Sequence, residues 1–226
     1  MQNELLFLTH ITVILGATMG AFLLDKYALR ALVCLYVVFA NLFVAKQMML
    51  GGLVACGGGM YIVGSMCGLL LLQTVWGKEF AHRTLYASFA LSVLFFLLCA
   101  FQCAYLPSSA DVTQSLFMAV LGRVPRITAA SLIAHLISQG VTLLLQSLLL
   151  SITQQRGVFL LSAFAMIIGQ LLDSALFFTG SFYGDVAWPL IGQMVLVSVG
   201  IKIVMVLLSS LLVVWAQARK ESGYVQ

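Results

Sequence analysis

The chain has 226 residues, of which 62% are apolar and only 8% charged, and its mean hydropathy is +1.11. Soluble domains are nearer half apolar and a quarter charged. Eleven Lys and Arg with seven Asp and Glu cannot coat a water-facing globule, which argues against a soluble enzyme, a disordered chain or a nucleic-acid-binding domain.

The net charge of +4 is spread as isolated Lys and Arg between apolar runs, a pattern that suits loops facing anionic head groups. A bilayer core of about 30 Å takes roughly 20 apolar residues per helix. Dividing the chain at charges, prolines and polar clusters predicts seven spans in an all-α transmembrane bundle: 5–24, 27–45, 51–75, 85–104, 127–150, 158–179 and 188–215. The first run is too long and too acidic at its start, with Glu4, for a signal peptide. Between the first two runs only Asp25 and Lys26 remain as a turn. The third run carries Gly51, Gly52, Gly57, Gly58, Gly59, Gly64 and Gly68. Two readings fit it equally: a broken or re-entrant segment, or a helix whose small residues pack closely against neighbours. The connection 105–125 is the only long one and holds a short amphipathic piece near 116–121. No soluble domain is left over, so any function belongs to the bundle, expected as a single domain over 1–226.

Cytoplasmic loops retain Lys and Arg. One side collects Lys26, Arg30, Lys78, Arg83, Arg156, Arg219 and Lys220, the other Lys46, Arg123 and Arg126, with Lys202 inside a span. This places the amino terminus outside and the carboxyl terminus in the cytoplasm. The five cysteines form no C-x-x-C pair, so neither a disulfide framework nor a zinc site is expected. There is no P-loop, H-E-x-x-H or G-x-S-x-G pattern, so the chain is not expected to be an enzyme or to hold a cofactor.

Charged side chains deep in a bilayer cost a few kcal/mol or more and mark function by default. Asp173 lies within the sixth run. Lys202 lies near the middle of the seventh, about 21 Å from its start. An Asp173–Lys202 pair across helices follows as an expectation, either functional or a structural ion pair that fixes register. The fifth run places Ser131, His135, Gln139, Thr142 and Gln146 at spacings of four, four, three and four, on one helical face. Gln170 shares a face with Asp173, and Asn41 ends the second run. Such residues also make ordinary interhelical hydrogen bonds of about 0.6–2 kcal/mol, the simpler reading for any single one of them. His135 alone reads as a packing residue rather than a metal ligand or proton relay. For Gln139, Gln170, Asp173 and Lys202 together, ligand contact is favoured. Phe177 and Phe178 follow Asp173 by one turn, where a flat heterocycle can stack.

These elements and their order resemble the queuosine precursor transporters, also called the vitamin uptake transporter family. The resemblance runs from Asn3-Glu4-Leu5-Leu6-Phe7 through Ala40-Asn41, Lys46 and Trp76-Gly77-Lys78-Glu79 with Ala81 and Arg83, similar to a family segment Y-G-K-K-x-A-R. Its strongest part is Pro125-Arg126-Ile127, Ala130-Ser131-Leu132-Ile133-Ala134, Ser138-Gln139 and Gln170-Leu171-Leu172-Asp173, with Lys202 in the last helix. Two segments depart from the family pattern. Leu69-Leu70 and Thr74 replace a T-D-x-x-x-E stretch, and Leu161-Ser162 with Ala165-Met166 replace R-N-x-x-S-T. The chain therefore resembles a divergent member.

The resemblance implies uptake of a 7-deazaguanine base for tRNA modification in a bacterial cytoplasmic (inner) membrane. The implied substrate-binding set is Asp173, Gln170, Gln139, Lys202, Asn41, Ser131, His135 and Phe177, without metal. Arg126 is expected at a substrate entrance or as a helix-end anchor. The expected partners are this small molecule and the bilayer, with a homo-oligomer left open. Competing readings are a membrane-embedded binding subunit of an ATP-driven vitamin uptake system, and a non-transport structural membrane protein.

Overall fold

A computed structural model describes residues 2–152 and 158–203. Their chain order is α1 (Gln2–Leu24), α2 (Lys26–Phe43), β1 (Gln47–Leu50), β2 (Leu53–Cys56), α3 (Gly59–Trp76), α4 (Lys78–Ala104), α5 (Gln114–Leu121), α6 (Val124–Ile152) and α7 (Val158–Phe182). The helix Trp188–Ile203, here α8, follows. Five described stretches are long and apolar enough to cross a membrane: α1, α2, α3, Glu79–Ala104 of α4, and Gln114–His135, which passes from α5 into α6. Ile167–Phe182 and Trp188–Ile203 are shorter apolar helices. The protein is an all-α membrane bundle with one small hairpin. The predicted seventh span reaches Trp215, and its part beyond Ile203 lies outside the described residues, as do Arg156, Arg219 and Lys220.

The chain forms two compact units, one of residues up to Pro125 and from Gly200 on, the other Arg126–Val199. In the first, a single residue joins α1 to α2. Asp25 is extended, and its Oδ1 accepts from the Tyr27 and Ala28 backbone N–H groups at 2.6 and 2.7 Å. That is the geometry of an N-cap, which satisfies donors a helix start cannot pair internally.

The third glycine-rich run departs from a continuous helix, and both readings of it are realised, in different halves. Its first part is an antiparallel hairpin with Leu50 opposite Leu53. Gly51 and Gly52 form its two-residue turn at φ 56° and 80°, the left-handed pair that a tight hairpin turn demands. The tip is tied to α1: Asn3 Nδ2 donates to the Met49 carbonyl at 3.1 Å, and the Gly51 N–H donates to Glu4 Oε1 at 3.0 Å. The second part is α3, where glycine permits close approach. A Cβ on Gly64 would lie 2.5 Å from Ile14 Cγ2 and 2.7 Å from Tyr36 Cε2, and one on Gly68 would lie 2.4 Å from Val33 Cγ2. Around this seam Phe22, Leu29, Val33, Cys67, Leu71 and Leu72 make the buried core.

Helices α2 and α4 run parallel. Tyr27 packs against Phe80 near their first turns, and Asn41 Nδ2 meets Ser92 Oγ at 3.4 Å farther along. Lys26, Arg30, Lys78 and Arg83 therefore lie toward one end of this unit, and Lys46, beside the hairpin, lies toward the other. The connection after α4 contains α5, none of whose residues is buried. All five cysteines are free thiols.

A candidate substrate site on two antiparallel helices

In the second unit, α6 and α7 run antiparallel, and among the described residues polar contacts tie them together at two levels. Near the start of α6, Arg126 reaches the end of α7. Its Nε donates to the Gly180 carbonyl at 2.8 Å, its Nη2 donates to the Tyr183 carbonyl, and its Nη1 lies 3.6 Å from Asp185 Oδ2. A helix ends with unpaired carbonyls and a partial negative charge, so a guanidinium there is doubly favoured. Of the two expected roles for Arg126, the contacts match the helix-end anchor.

Three turns farther along α6, Ser138 Oγ lies 3.3 Å from Asp173 Oδ1 and 3.0 Å from the His135 carbonyl. One hydroxyl hydrogen thus has two acceptors in reach, the second being the usual back-bond of a helical serine. Ser138 is buried and Asp173 half-buried. The carboxylate therefore sits where the protein partly shields it, with a neutral donor beside it.

The remaining candidates divide between the units. Ser131 and His135 on α6, with Gln170 and Phe177 on α7, are half-buried residues of the same unit as Asp173. Phe177 meets Phe178 edge to face at 5.0 Å between ring centres, and Phe178 stacks on Phe182 at 6.2 Å. Phe182 is the last residue of α7. Gln139 lies on the α6 backbone, and its side chain falls outside the described residues, as do those of Thr142 and Gln146. Asn41 belongs to the first unit, where it is buried and joins α2 to α4 through Ser92. Lys202 is half-buried on α8, in the stretch that groups with the first unit.

Residues 56–216 match the family model described as "Putative vitamin uptake transporter". The chain belongs to the vitamin uptake transporter family. The match begins at the last residue of β2 and takes in α3 through α8, so the paired helices carrying Ser138 and Asp173 lie wholly within the vitamin uptake transporter region. No curated protein and no solved structure matches the chain. As a vitamin uptake transporter with this set of apolar helices, it is an integral membrane protein.

Ser138 is the residue that candidate selection from spacing passed over. The signal was present: it precedes Gln139 in the S-Q pair and lies three residues after His135.

Proposed function

We propose that this vitamin uptake transporter imports queuosine precursors, 7-deazaguanine bases such as the 7-cyano or 7-aminomethyl compound or queuine, across a bacterial cytoplasmic membrane for tRNA modification. The observation that carries this reading is the half-buried Asp173 carboxylate of the Q-x-x-D element, with the Ser138 hydroxyl 3.3 Å away. A guanine-like edge presents a ring N–H and an exocyclic amino group side by side. A carboxylate accepts from both at once, and such charge-assisted bonds are about twice as strong as neutral ones.

Ser138 orients the carboxylate toward the base. Gln170, one turn before Asp173, supplies an amide for a second edge of the base. Phe177, one turn after it, offers a ring face for stacking. Ser131, His135 and Gln139 on α6 complete the polar lining. Lys202 and Asn41 are included as further transport residues, and Lys202→Gln and Asn41→Ala should each lower uptake.

The deciding experiment uses a host that lacks both its own transporter and precursor synthesis, fed separately with each deazaguanine, with modified tRNA as the readout. The wild-type chain should restore the modification. Asp173→Asn, which keeps the shape and loses the second acceptor, should abolish it while membrane insertion persists. Undiminished modification by Asp173→Asn would remove the carboxylate from the site. No modification from any fed base would remove the substrate class.

A further inference from the structure

A groove of about 560 Å³ runs between α2 and α4 on the outside of the first unit. Its walls are apolar side chains such as Val38, Leu94 and Leu98, and the small residues Ala31, Cys34 and Ala87 leave room between the helices. One end differs from the rest. Arg30 and Tyr27 line it, Lys26 Nζ lies 5.3 Å from the Tyr27 ring centre and 5.8 Å from that of Phe80, and Arg30 Cζ lies 5.7 Å from the Phe80 ring. Two cations thus lie within about 6 Å of one aromatic ring, that of Phe80.

The two carboxylates at this end are engaged elsewhere. Asp25 caps α2, and Glu79 pairs with Arg83 at 2.9 Å. From Ala87 to Leu98 the groove follows α4 for eleven residues, about 16 Å. That is the depth of one leaflet of a hydrocarbon core, roughly 15 Å.

We propose that this groove is a binding site for an anionic phospholipid, with the phosphate held by Arg30 and Lys26 and one acyl chain lying along Cys34, Val38, Leu94 and Leu98. The chemistry at the two ends selects the occupant. An apolar trough of one-leaflet depth fits a single acyl chain, and a cation pair at its mouth fits a headgroup with net negative charge. Tyr27, 62% exposed beside that pair, sits where an amphipathic ring meets the headgroup layer.

The test is native mass spectrometry of the full chain in detergent with phosphatidylglycerol or phosphatidylcholine of identical acyl composition. Phosphatidylglycerol should be retained about thirtyfold more tightly, the worth of two basic side chains at an anionic surface. The double variant Lys26→Gln, Arg30→Gln should lose that preference while retaining phosphatidylcholine as before. Ala31→Phe, an exposed position that fills the trough, should weaken both lipids, and Lys46→Gln at the opposite end should change neither. Equal retention of the two lipids, or a preference that survives the double variant, overturns the proposal. So does a dimer cross-linked through α2 and α4 that excludes lipid, which would give the groove to a second copy. The readout is lipid retention, so it fails or succeeds independently of the transported substrate.

Discussion

At Ser138 a small side chain decides how a charged one behaves. A hydrogen bond to an ionised partner contributes about 1.5–3 kcal/mol, and the 3.3 Å separation from Asp173 Oδ1 puts this one at the lower end. Ser138→Ala should therefore weaken substrate affinity about tenfold with the maximal rate largely kept, and Ser138→Thr should retain most of the affinity. The concentration dependence of uptake checks this, and an unchanged half-saturation would give Ser138 a structural role, such as its bond to the His135 carbonyl. Spacing alone could not single this residue out. A period of 3.6 picks a helix face and groups Ser131, His135 and Gln139, but it does not say which hydroxyl meets a carboxylate on another helix. For Arg126 the sequence left open a substrate entrance or a helix-end anchor, and only its bonds to the Gly180 and Tyr183 carbonyls favour the anchor.

Among the elements, α3 shows what glycine does when two helices touch. With 2.4 Å from a Gly68 Cβ position to Val33 Cγ2, even alanine collides with the Val33 side chain, which is stiff in a helix. Gly68→Ala should cost about 1–3 kcal/mol, the usual range for overpacking, and Val33→Ala in the same chain should recover most of it. Thermal unfolding of the detergent-solubilised protein reads both variants, and additive losses would place the strain elsewhere. The hairpin before α3 was not legible as a hairpin. Met48, Met49, Leu50, Leu53, Val54 and Ala55 are apolar enough to pass as helix, and short apolar runs do not separate strand from helix by period. What marks the structure is the Gly51-Gly52 pair, whose positive φ values only become evident with the backbone.

For the molecule as a whole, hydropathy made the spans legible, because each transmembrane helix must satisfy its own backbone and so needs an unbroken apolar run. Boundaries shifted where other physics intervened: α4 begins at Lys78 rather than near Leu85, since helix continues through the charged residues Glu79 and Arg83 that pair with each other. Orientation is a separate matter of charge. If seven Lys and Arg fall on one side and three on the other, as the loop charges lead one to expect, a reporter fused after Gln226 should be active only if it is a cytoplasmic type, and one fused before Met1 only if it is an exported type. The reverse pattern would invert the assignment. Scarcity of charge, which first placed the chain in lipid, also made the few polar groups within the apolar runs readable as candidates, with Asp173 foremost among them.

The bend at Asp25 has a mechanical meaning beyond its hydrogen bonds. One extended residue spans only about 3.5 Å, and its side chain is already spent on the first turn of α2. There is no slack between the two helices. Any rise or sink of the end of α1 along the bilayer normal is passed to the start of α2, and the cationic end at Lys26 and Arg30 moves with it. To the surrounding lipid, the first two helices are one lever rather than two rods.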